Sequence, residues 1–103
     1  MSERMRQLEQ MLAKEPNDTF LLYGLAMEFK KVGDPQRALE YFRRVIDLDG
    51  GYSYAYHQMG MIHESLDDPD SARAAYRGGI EAARRKGDEH ARQEIQAALS
   101  MLE

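Results

Sequence analysis

The sequence contains no cysteine, so neither a disulfide framework nor a thiolate metal site can be built from it. It has no excess of positive charge. Fourteen lysines and arginines stand against eighteen acidic residues, a formal net charge of −4 over 103 residues. General affinity for nucleic acid or for an anionic membrane needs a basic surface and is not expected. No apolar run approaches the ~20 residues needed to cross a bilayer. The first residues, Met1-Ser2-Glu3-Arg4-Met5-Arg6-Gln7, lack the unbroken apolar stretch of an export signal. On these grounds the chain is expected to be soluble and cytoplasmic. Its length fits one domain with a modest core.

Catalytic patterns are also missing. Serine occurs only at Ser2, Ser53, Ser65, Ser71 and Ser100, with no readable nucleophile–base arrangement. Ser2, Ser53 and Ser71 fall at expected helix starts, where capping explains them. The three histidines form no HExxH or similar spacing. His57 and His63 fall on nearly opposite faces of one helix and cannot share a metal, while His90 has Glu89 and Glu94 as possible neighbours. His63 is expected to fill a site between helices with a hydrogen bond. Asp67-Asp68 and Asp47-x-Asp49 sit at helix ends or turns without a calcium-loop pattern. Gly78-Gly79 lies inside a helix and follows no strand, so it reads as close helix packing rather than a phosphate loop. Arg73, Arg77, Arg84, Arg85 and Lys86 read as a solvated face balanced by Glu81, Asp88 and Glu89. They lack the interleaved aromatics of a single-strand nucleic-acid surface. No enzyme activity, cofactor or metal is expected.

What the chain does contain is one pattern written twice, thirty-four residues apart. The first copy is Leu22-x-x-Leu25-Ala26-x-x-Phe29, then Ala38-x-x-x-Phe42 and Val45. The second is Tyr56-x-x-Met59-Gly60-x-x-His63, then Ala72-x-x-x-Tyr76 and Gly79. Asp34-Pro35 and Asp68-Pro69 keep the same offset. A fixed period of this length marks stacked units that cannot bury their apolar faces alone. The punctuation is helical throughout. A first helix capped by Ser2 ends near Lys14, with Met5, Leu8, Met11 and Leu12 on one face. Asp18 caps a helix over about Thr19 to Val32, which Gly33 ends. Asp34 caps the next, with Pro35 at its first position, and Gly50-Gly51 ends it near Leu48. A helix from about Ser53 to Leu66 follows, with Asp67 standing where Gly33 stood. Asp68-Pro69 opens a helix to about Lys86. Gly87 ends it, and Asp88 caps a last helix whose stripe is Ala91, Ile95, Ala98, Leu99 and Leu102.

The pattern resembles the tetratricopeptide repeat, a helix–turn–helix unit of this period. The resemblance runs from about Leu8 to Arg84. It departs where Leu22 and Tyr56 take the early aromatic position, where His63 replaces a core aromatic, and where Arg84 replaces the closing proline. The last departure suggests a longer helix through Arg84-Arg85-Lys86. The resemblance implies an all-α fold: a right-handed solenoid of antiparallel helix pairs, about six helices. Residues 1–103 would form a single domain. It would comprise an N-terminal half-repeat helix (1–15), repeat 1 (19–49), repeat 2 (53–86) and a C-terminal capping helix (88–103).

Members of this family mostly hold other proteins in a concave groove lined by the first helix of each repeat. At 100° per residue, Leu22, Leu25, Ala26 and Phe29 face the core. Phe20, Tyr23, Gly24, Met27, Lys30 and Lys31 face away, and Tyr54, His57, Gln58, Met61, Glu64 and Ser65 take the same places in the second copy. Leu21, Ala55 and Ile62 fall between the two faces. The resemblance therefore implies a groove carrying Phe20, Tyr23, Met27, Lys30, Tyr54, His57 and Met61. Aromatic and methionine side chains away from the core suit a varied apolar partner. Lys30 and Lys31 read as helix-end charges that can also touch an acidic partner. No asparagine occupies a groove position, so the carboxylate-gripping clamp of some family members is not expected. Two readings of the stripe remain open: a partner surface, or a strip partly covered by the first and last helices. The expected function is a non-catalytic module binding a protein or peptide segment, with homodimerisation through the same surface as the alternative. No nucleic acid or membrane partner is expected.

Overall fold

The computed structural model describes residues 2–103, which contain six α-helices and no strand. They are α1 (Glu3–Lys14), α2 (Thr19–Lys31), α3 (Pro35–Leu48), α4 (Ser53–Ser65), α5 (Pro69–Lys86) and α6 (Glu89–Leu102). Two compact units divide them between Leu48 and Asp49.

In the first unit α2 pairs with α3, and α1 packs on α2. Ser2 and Asp18 cap α1 and α2 as their sequences imply, accepting from the Met5 and Leu21 amides, each at 3.1 Å. Asp34 does the same for α3 through the Arg37 amide at 3.2 Å. The core is Leu21, Leu22, Leu25, Ala26 and Phe29 from α2 with Ala38, Phe42, Val45 and Ile46 from α3, and Met5 and Leu8 from α1. Met11, expected on the same face as Met5 and Leu8, is instead 53% exposed. Six residues beyond Met5 it is turned about 120° around the helix, off the edge of the buried stripe.

In the second unit α4 pairs with α5, and α6 packs on α5 and along part of α4. The fully buried Tyr76, with Ala72, Ile95 and Leu99, forms a cluster to which Ile80, Ala98 and Leu102 add. The glycines explain how close these helices come. A methyl group on Gly60 would overlap the Tyr76 ring, and one on Gly78 would lie 2.6 Å from Cε1 of Tyr56. α5 runs eighteen residues, through Arg84-Arg85-Lys86, as the missing proline suggests.

Two of the three serines assigned to capping do not cap. Ser71 instead offers its amide to the true cap, Asp68, at 3.1 Å. Ser53 is buried just inside α4, and the cap position is Tyr52, which makes no side-chain bond to the helix.

Three helices end in the same hydrogen-bonded turn. The amides of Asp34, Asp68 and Asp88 each reach back to the carbonyls of Phe29, His63 and Ala83, all at 2.9 Å. The turn needs a residue at positive φ. Gly33 (80°) and Gly87 (70°) supply it without strain, and Asp67 (59°) supplies it as a non-glycine residue. No helix among the described residues is long and apolar enough to cross a membrane.

Candidate functional site

The expected site residues lie on the first helix of each pair, and the two helices present them differently. On α2, Phe20 is 71% exposed, the largest exposure of any aromatic residue here. It borders a cleft of about 340 Å³ lined also by Met11, Lys14, Glu15, Asp18 and Leu21. This cleft at the α1–α2 junction was not foreseen. Its trace in the sequence is the pair of apolar residues, Met11 and Phe20, on either side of the Pro16-Asn17-Asp18 turn. Tyr23 is half-buried, its ring edge-on to the buried Phe42 with centroids 5.4 Å apart. It belongs in part to the core, because its aromatic body reaches past the helix edge. Gly24 lies against Leu8, which is 3.4 Å from where a β-carbon would stand, so α1 takes that position. Met27 and Lys30 are half-buried. Burial lowers the Lys30 pKa from the usual lysine value.

On α4 the equivalent residues are drawn into polar contacts. Tyr54 faces Glu94 of α6, and burial first, then the charges of Glu94 and Asp88, raise its pKa. Glu94 also lies 2.9 Å from Nε2 of His90. The His57 ring meets the Tyr76 ring edge-on at 5.9 Å. Tyr76 in turn donates a short hydrogen bond to Glu64. Burial first, and then Glu64 as acceptor and as charge, push the Tyr76 hydroxyl far above the ordinary tyrosine pKa. Met61 stays 41% exposed. The last helix thus brings a carboxylate to the Tyr54 end of this strip, while the Met61 end stays open.

The candidates for chemistry fall into structural roles. Arg73, Arg77 and Arg84 pair with Asp70, Glu103 and Glu81. Of the residues expected to balance this stretch, Asp88 instead caps α6 and Glu89 pairs with Arg92. Among the described residues no group of three or more histidines and carboxylates is placed to hold a metal ion.

Comparison with known proteins agrees with the geometry. Residues 21–52 and 53–86 each match the tetratricopeptide repeat, one match for each helix pair. The chain belongs to the tetratricopeptide repeat family. A TPR repeat-containing protein of Pseudomonas aeruginosa is 32% identical over 96 residues, spanning 93% of this chain and 91% of that one. A tetratricopeptide repeat domain protein of Salinibacter ruber, solved by NMR, superposes with a TM-score of 0.80 at 36% identity, covering 85% of this chain and 89% of that one. PcrH, crystallised with the chaperone binding region of PopD, gives a TM-score of 0.88 at 16% identity over 95% of this chain and 74% of that one. At that identity the likeness is one of fold. Tetratricopeptide repeats generally mediate contacts between proteins, and the family is typically non-catalytic.

Proposed function

We propose that this tetratricopeptide repeat chain is a non-catalytic module that binds a segment of another protein through the open sides of α2 and α4. The residues assigned to recognition are Phe20, Tyr23, Met27 and Lys30 on α2, and Tyr54, His57 and Met61 on α4. The observation that carries this reading is apolar exposure where the fold has no need of it. Phe20 and Met61 remain 71% and 41% exposed on helices whose other faces are buried. Exposed aromatic and methionine side chains of this kind supply much of the binding energy at protein interfaces. A protein of the same fold, PcrH, was crystallised in complex with the chaperone binding region of PopD, which supports segment binding as a use of this architecture.

Selection of displayed random peptides against the full chain tests the reading. Selected peptides are expected to lose most of their affinity for a Phe20→Ala, Met61→Ala double variant that keeps its helical circular dichroism. An Arg43→Ala control on the exposed side of α3 should bind unchanged. Equal binding to the double variant would overturn the assignment. Sedimentation of the same proteins reads the homodimer alternative, which predicts a dimer that the double variant dissociates.

A further inference from the structure

The strip on α4 has an electrostatic character that its counterpart on α2 lacks. Up to Leu48 eight basic residues balance eight acidic ones, whereas from Asp49 onward six face ten. α4 itself contains no lysine or arginine. The cations packed nearby are already engaged. Arg73 pairs with Asp70, Arg77 with Glu103 and Arg92 with Glu89. The apolar strip of Tyr54, His57 and Met61 is left between two carboxylates: Glu94 at the Tyr54 end and Glu64 at the Met61 end. Glu64 already accepts the Tyr76 hydroxyl, and Glu94 lies close enough to Tyr54 for its charge to be felt there. A carboxylate has about four lone-pair sites, so each can accept a further donor. Both remain open to solvent, the Glu94 side chain at 44%. The histidine on Glu94, His90, is 80% exposed and easily displaced.

We infer that the second unit selects a protein segment in which apolar side chains are flanked by lysine or arginine. The apolar groups would lie on Met61 and His57, with one cation at Glu64 and one at Glu94. This rests on the segment-binding reading above and names the chemistry of the partner. The spacing follows from the helix. Tyr54 and Glu64 are ten residues apart, or about 15 Å along the axis. An extended segment rises about 3.3 Å per residue, so the two cations should stand about four or five residues apart. Opposite charge at both ends also fixes the register of an otherwise slippery apolar contact and suppresses acidic competitors.

Fluorescence anisotropy with the full chain and three labelled peptides tests this: Lys-Leu-Ser-Leu-Ser-Lys within a neutral frame, the same with both lysines replaced by glutamate, and the same with both replaced by serine. The lysine peptide is expected to bind at least about tenfold tighter than the glutamate peptide, and the margin should shrink in high salt. Glu64→Gln with Glu94→Gln should collapse the margin while leaving the serine peptide's affinity unchanged. Met61→Ala should weaken the lysine and serine peptides alike. A glutamate peptide that binds as tightly as the lysine one overturns the inference, as does a margin that survives in the double glutamine variant. If the serine peptide binds and responds to Met61→Ala but charge makes no difference, the inference fails and the segment-binding reading stands. If no peptide binds, both fail. A chain that self-associates through Met61 would give the surface to a second copy and also overturn the inference.

Discussion

The two helix pairs, α2–α3 and α4–α5, solve one packing problem with different residues. Where the first uses Ala26 and Phe42, the second uses Gly60 and Tyr76, and all four are buried. In the second pair the ring of Tyr76 lies where a β-carbon on residue 60 would stand, so only glycine fits. What the period preserves is a small residue on the first helix and an aromatic ring on the second, rather than the identity at either position. The extra hydroxyl of Tyr76 then needs an acceptor, because an unpaired buried polar group is costly, and Glu64 provides it. The same contrast appears in the turns. Gly33 and Asp67 occupy one backbone conformation, one without strain and one with it. The flanking helices differ as well, since α1 covers the first helix of its pair and α6 packs mainly on the second helix of its own.

The largest expected effects come from the flanking helices. Ile95→Ala should cost about 2–5 kcal/mol and loosen α5 before α4, whereas Leu8→Ala, with a cost in the same range, should loosen α2 before α3. Denaturant melts and amide exchange read both effects, and identical exchange patterns in the two variants would erase the distinction. Next comes the interlocked ring. Gly60→Ala should cost about 1–3 kcal/mol by forcing Tyr76 out of place. The reverse exchange in the first pair, Ala26→Gly, should cost only about 1 kcal/mol through lost helix propensity and contact. Similar losses at both sites would show that the close approach of Tyr76 to Gly60 does not set the second pair apart.

The turns give a change of opposite sign. Asp67→Gly should raise stability by about 1 kcal/mol, and Gly33→Ala should lower it by about as much, because a β-carbon is disfavoured at positive φ. Thermal melts decide the signs. The smallest effect is alkaline. The folded state holds the Tyr76 proton more tightly than the unfolded chain does. Its stabilising share is therefore complete below the unfolded tyrosine pKa of about 10 and declines as pH rises toward the folded value. At about pH 10.5 the wild type should have lost about 1 kcal/mol or less relative to Tyr76→Phe, each measured against its own stability at neutral pH.

The elements were legible because their signals are local. The thirty-four-residue period, the Asp-Pro starts, Gly33 and Gly87 act within one turn of chain, and they marked helix ends to within a residue or so. The long α5 was legible from the absence of a proline near Arg84. The site was less so. Helical spacing placed Tyr23 away from the core, but a long aromatic side chain can lean across a face boundary, and its ring found Phe42. Glu94 could be seen only as a neighbour of His90. Its influence on Tyr54 depends on where α6 docks, which no local pattern encodes. Ser53 and Ser71 illustrate the same limit at short range. A residue suited to capping is displaced by one step when an aspartate or a loop residue takes the cap position first.

The way α4 begins has a consequence for how the second unit opens. Tyr52 gives the helix no side-chain acceptor, so its first amides are held by the chain leading into it. Asp49 organises that chain, accepting the Gly51 amide at 3.0 Å on one oxygen and Lys86 at 3.3 Å on the other, while Arg85 reaches the Gly50 carbonyl. Exposed ion pairs of this kind hold weakly and are screened by salt. Breathing of the second unit should therefore start at the first turn of α4, the turn that carries Tyr54. The first turn of α4 should then exchange its amides more readily than the middle of the same helix.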